Sequence, residues 1–252
     1  MDTGQWQQAE DLLKKSLADA PDDAATRRSL AEVLWHRDDK QAAMAQMELA
    51  MQQDSDNASL RVRAGEMSLT TGARESALSQ AEQAIRSDPQ SAEAWALRGR
   101  CFKQMNQPDR ALADLQHALD FAPNDSEVLL QVATIYRERG EAARSLTTIH
   151  HLLDTYSPGE EPQSVLRLEG LTLMDLGRSQ QACDVLAAAA RRGQPDADGL
   201  YYLAQAYAAA GRPEQATEAA QQALALNAAH VPSRQLLAQL AASTSPGDVQ
   251  RR

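Results

Sequence analysis

AEAWALRGRCFKQMNQPDRALADLQHALDFAPND, residues 92–125, decides how the rest of the chain is read. Apolar residues recur at helical spacing on both sides of Asn106, a residue that tolerates the positive φ of a helix-ending turn. Gly99 and Ala111, one on each side of that turn, are small enough to let two helix backbones approach closely. Moving outward by 34 residues finds the same features again. Small residues recur at Ala9, Ala43, Ala77, Ala111, Ser145, Ala182 and Ala216, every step being 34 residues except one of 37. A second series, Ala31, Gly65, Gly99, Ala133, Gly170, Ala204 and Ala238, keeps the same steps 12 residues earlier. Between the two series falls a turn residue each time: Asp38, Gly72, Asn106, Gly140, Gly177 and Gly211. The unit is therefore a pair of antiparallel helices, and because one hairpin cannot bury both of its faces, successive units stack.

Trp95, Gly99, Phe102, Ala111, Leu115, Ala118 and Pro123 stand where the signature of the tetratricopeptide repeat family places such residues, and the chain resembles that family from residue 1 to about 241. The resemblance implies an all-α, right-handed superhelical solenoid of helix hairpins. A single domain is expected over 1–242. It comprises a second-helix fragment at 1–23, full repeats at 24–57, 58–91, 92–125, 126–159, 163–196 and 197–230, and a capping helix at 231–242. A flexible tail is expected at 243–252. Three departures stand out. The chain opens on a second helix, so Trp6, Leu12, Leu13 and Leu17 lack their usual partner and offer a surface for self-association, as in a homodimer. Repeat 58–91 puts Arg61, Ala64, Ser68 and Ala81 where its neighbours tend to be larger and apolar, which predicts the softest full repeat. Pro158, Gly159 and Pro162 interrupt the stack, and a lengthened loop is expected there in preference to a hinge.

Composition excludes several classes of function. A formal charge of −10 and a pI near 5.0 disfavour a general nucleic-acid role, since phosphate would be repelled. No run approaches membrane-spanning length and the first twenty residues contain no signal-like apolar stretch, so the chain as it stands reads as cytoplasmic. Sequence upstream of Met1 would reopen a periplasmic, lipid-anchored or enzymatic context. Phosphate-cradling loops, nucleophile elbows, zinc-histidine helices and cysteine pairs are missing from the sequence, so no catalytic residue, cofactor or metal is expected. Cys101 and Cys183 are expected to be buried free thiols. His150 and His151 diverge by about 100° on a helix and have no suitably spaced metal partner. His150 and Asp154, four apart, could hydrogen-bond as a surface pair.

In the family that the chain resembles, first helices line a concave groove that takes a peptide of a protein partner. Carried onto this sequence, the groove has Arg28, Trp35 and Leu69 at one end, Arg100, Lys103, Leu130 and Arg137 in the middle, and Leu171, Met174, Tyr201 and Gln205 at the other. Arg100, Lys103 and Arg137 would form a basic centre for a partner carboxylate. The competing reading gives these charges to salt bridges within the stack, with Glu93, Glu127 and Glu138 as partners. The carboxylate clamp used by some family members on chaperone tails is not matched, because Glu32, Glu66, Arg100 and Thr134 occupy its places.

Overall fold

The computed structural model describes residues 3–244, with side chains from 5 to 242. Among these residues there are fourteen α-helices and no strand. A lone helix, α1 (Thr3–Asp19), is followed by the hairpins α2 (Ala24–His36) with α3 (Lys40–Gln53), α4 (Ala58–Thr70) with α5 (Arg74–Ser87), and α6 (Ala92–Gln104) with α7 (Pro108–Phe121). Three more follow: α8 (Ser126–Glu138) with α9 (Ala142–Leu153), α10 (Gln163–Asp175) with α11 (Ser179–Arg192), and α12 (Ala197–Ala209) with α13 (Pro213–Leu226). The last helix, α14 (Val231–Thr244), continues two residues beyond the expected end of the cap, so residues 243 and 244 have helical backbone. The rest of the expected tail, 245–252, lies outside the described residues. The chain divides into two compact units, Met1–Val128 and Leu129–Arg252.

Local chemistry explains the boundaries. All six expected turn residues have positive φ, including the two that are not glycine, Asp38 at 65° and Asn106 at 57°. Asn57, Ser91 and Asp196 cap helices by accepting a backbone N–H three residues on, at 3.1, 3.2 and 2.7 Å. Pro108 and Pro213 open their helices, where a missing N–H costs nothing.

The two small-residue series meet inside each hairpin. A methyl group on Gly99 would lie 2.8 Å from Leu115 Cγ and 3.1 Å from the Ala111 carbonyl oxygen. Ser145 uses the same closeness differently, donating its hydroxyl to the Ala133 carbonyl at 2.8 Å. Buried Leu97, Leu115, Leu129, Ile149 and Leu186 fill the spaces around these contacts. Cys101 and Cys183 are both buried and free, and burial pushes the Cys101 thiol up to about 11.

The extended loop after α9 is tied down at its end. Glu161 accepts from the Gly159 backbone N–H at 3.0 Å and from Arg192 Nη2 at 2.6 Å, and the backbone bond leads the causes that lower its pKa.

Candidate partner-binding surface

In the first unit, the outward positions of α2, α4, α6 and the start of α8 carry a row of alternating charges. Arg63 donates to Glu32 through Nε at 2.6 Å and reaches Glu66 through Nη1 at 3.2 Å. Arg100 donates to the other oxygen of Glu66 at 2.9 Å and to Glu127 at 2.8 Å. Hydrogen bonding to Glu32 is the leading cause that raises the Arg63 pKa above its ordinary value. Arg63, Glu66, Leu69, Thr70, Arg100 and Gln104 line a shallow cleft of about 350 Å³ beside this row. Partly exposed pairs of this kind each contribute roughly 0.2–1 kcal/mol, so the row orients side chains more than it stabilises the fold.

The basic centre expected from sequence takes a different form. Arg100 sits between two glutamates, Arg137 lies 2.7 Å from Asp175, and Lys103 is half-buried. Glu127 is a partner that the sequence suggests for Arg100, and Glu66 of the preceding hairpin is a second. Arg28 is exposed and donates to Ser59 at 3.1 Å. Trp35 is half-buried against the cores on either side of α2, with Lys40 over its ring at 5.9 Å. Leu69 is only 9% exposed and packs with Val62, Leu97 and Cys101, so it belongs to the core and shows the cleft no more than an edge.

The second unit has a more apolar first-helix surface. Leu130 and Thr134 of α8 face Arg167, Leu168 and Leu171 of α10 across a cleft of about 390 Å³. Arg167 is paired with Asp196, which fixes one rim of the cleft. Met174 packs against the neighbouring core. Tyr201 makes an edge contact with His230 at 5.6 Å, and its hydroxyl accepts from Gln205 Nε2 at 2.8 Å.

The residues expected to form an uncovered face on α1 are mostly covered. Trp6 stacks on His36 at 4.8 Å, while Leu13 and Leu17 pack against Leu30, Leu34 and Ala43. Leu12 is 69% exposed and stands apart from them. Trp6, Leu13 and Leu17 are half-buried because one face of α1 is used against the next hairpin.

Two polar arrangements escaped the sequence reading. Asp114 accepts two bonds from Arg98, at 2.7 and 2.8 Å, and Arg98 also lies over the Trp95 ring at 4.7 Å. His230 links Ser233 Oγ at 2.8 Å to Asp198 Oδ1 at 3.0 Å, a set of side chains that resembles a hydrolytic triad in type. Ser233 has no exposed surface, and its backbone N–H donates to His230 Nδ1 at 3.3 Å. That donation makes Nδ1 the acceptor and leaves Nε2–H for Asp198. The group thus caps α14 and ties it to α12, with no route for a substrate to the serine. His150 turns to Glu169 at 3.6 Å, and not to Asp154. No cluster of three or more His, Cys, Asp and Glu side chains suited to a metal occurs among the described residues, and no described helix is long and apolar enough to cross a membrane.

A family model described as "Coatomer epsilon subunit" matches residues 8–245. No curated protein matches the sequence. Among solved structures, a chain of the APC/C hetero-tetramer Cut9–Hcn1 superposes with a TM-score of 0.77 at 14% identity, over 94% of this chain and 46% of that one. The chain thus spans about half the length of that protein. PilF of Pseudomonas aeruginosa gives 0.75 at 15% identity, over 86% of this chain and 97% of that one. PilW, described as a type IV pilus biogenesis factor, gives 0.74 at 20%, over 85% and 98%. At these identities the likeness is one of fold.

Proposed function

This chain belongs to the Coatomer epsilon subunit family, a family of tetratricopeptide-like helical repeats, and from that premise we propose that it is a non-catalytic scaffold that holds a protein partner. The partner contributes a peptide segment that lies along first helices. The observation that carries this reading is the cleft between α8 and α10, lined by Leu130, Leu168 and Leu171 together with Thr134 and the paired Arg167. An apolar surface with a few fixed polar groups is what a short segment needs for both affinity and orientation. Similarity to proteins of multi-subunit and pilus-assembly systems supports a binding role of this general type.

The test is capture of partners from the native lysate with the wild-type chain and with Leu130→Ala/Leu171→Ala. Proteins recovered by the first and lost at least about tenfold with the second are those held by the cleft; a tenfold loss corresponds to about 1.4 kcal/mol. Equal recovery by a double variant of unchanged helicity sinks the assignment.

A further inference from the structure

Between α3 and the hairpin α4–α5 lies a cleft of about 250 Å³, walled by Met44, Met47, Met51 and Met67, with Glu48, Ser68, Ser76 and Gln80 as its polar lining. Its origin is visible in the repeat register. One unit later, Phe102 and Arg110 occupy the places of Ser68 and Ser76, with the guanidinium 3.8 Å from the ring centre. Two units later the pair is Tyr136 and Arg144, at 4.3 Å. Ala64 and Gln80, which also line the cleft, likewise stand where Arg98 and Asp114 form their paired bonds. Of the four positions filled in α6–α7, three are truncated in α4–α5 (Ala64, Ser68 and Ser76), while Gln80 accepts from Arg61 at 3.4 Å, and the space is open.

We propose that this cleft is a binding site for a single phenol-type aromatic ring. Size limits the ligand first. A dry cavity of about 150 Å³ takes benzene, and drug-sized ligands need about 300 Å³ or more, so this cleft suits one substituted ring. Chemistry limits it next: thioethers pack well against aromatic rings and adapt to their shape. Ser68 selects the hydroxyl. It is 2% exposed, and its Oγ reaches only Ser76 Oγ, at 3.3 Å, a long separation for two hydroxyls. A phenol oxygen on the cleft side of the pair, at the apex of a triangle about 2.8 Å from each hydroxyl, gives the buried hydroxyl a better partner. The rest of the fold supplies a precedent, since Tyr136 and Tyr207 occupy the register place of Ser68 in two other hairpins. The site shares no lining residue with the cleft between α8 and α10, and its occupancy does not depend on the partner proposed above.

The experiment labels the methionine methyl groups with carbon-13 in the full chain and follows them by NMR during titration with p-cresol. Saturable shifts at Met44, Met47, Met51 and Met67, with half-saturation at about 1 mM and little change at Met105 and Met174, are expected. Toluene should bind at least about threefold more weakly. Ser68→Tyr fills the space from within and should abolish the shifts; if that variant does not fold, Ser76→Arg on the exposed rim serves the same purpose. Shifts spread evenly over all methionines, or none up to the solubility limit, overturn the proposal. An equal response to toluene overturns the phenolic assignment. Changes that follow protein concentration and ignore p-cresol give the cleft to a second copy, which also overturns it.

Discussion

Hairpins α4–α5 and α6–α7 follow one backbone plan, both turning through a positive-φ residue and both crossing at a glycine, yet they fill their cores by different means. In α6–α7 the Phe102 ring lies under Arg110, and the Asp114 carboxylate holds Arg98 by two bonds. In α4–α5 the same places hold Ser68, Ser76, Gln80 and Ala64, which border a cleft. Conserving the crossing preserves the fold while the side-chain layer around it varies. In a stacked array the consequences fall mainly on nearest neighbours.

Four experiments break or sharpen this contrast. The largest effect is expected from Phe102→Ala, which empties a buried ring's place and should cost about 3–5 kcal/mol in urea unfolding. A cost below about 1 kcal/mol would mean that α6–α7 is no better packed than its neighbour. Next, Asp114→Ala leaves Arg98 half-buried without its carboxylate; a loss of about 2 kcal/mol is expected, whereas Gln80→Ala should change stability by less than about 0.5 kcal/mol. Similar losses at the two positions would erase the distinction. Third, amide exchange should be faster in the buried turns of α5 than in those of α7, with opening free energies lower by about 1–2 kcal/mol. The reverse order would show that the methionines more than make up for the missing ring. The smallest effect is expected for Arg110→Ala, about 0.5–1 kcal/mol from the lost contact with the Phe102 ring; thermal melting checks it, and no shift in Tm would reduce that contact to a surface coincidence.

What the sequence made legible is what geometry restricts most. A turn with positive φ admits few residue types, so Gly72, Asn106 and Gly140 mark their places at a glance. A close helix crossing admits only small ones, which exposed Gly99 and Ala111. The truncated side chains of repeat 58–91 were also visible, but only as lost area. Whether neighbours collapse into such a space depends on rotamers of flexible residues such as Met44 and Met51, which pattern does not specify. Ion-pair partners were harder for a related reason. Arg100 has glutamates on both neighbouring hairpins within reach, and its long side chain can satisfy either or both. His230 and Asp198 meet only because α14 crosses α12, and no local signal announces that meeting.

The row Glu32, Arg63, Glu66, Arg100 and Glu127 has a further consequence for any segment that docks along the first unit. Its five charges alternate and sum to −1, so this strip exerts little long-range pull despite the acidity of the whole chain. Long-range steering toward this surface is therefore set by the charge of the rest of the chain, −10 overall, and not by the strip. Selection acts after contact instead. A ligand whose charges complement the strip in one alignment would meet like signs when displaced by one charge, so out-of-register alignments would be disfavoured.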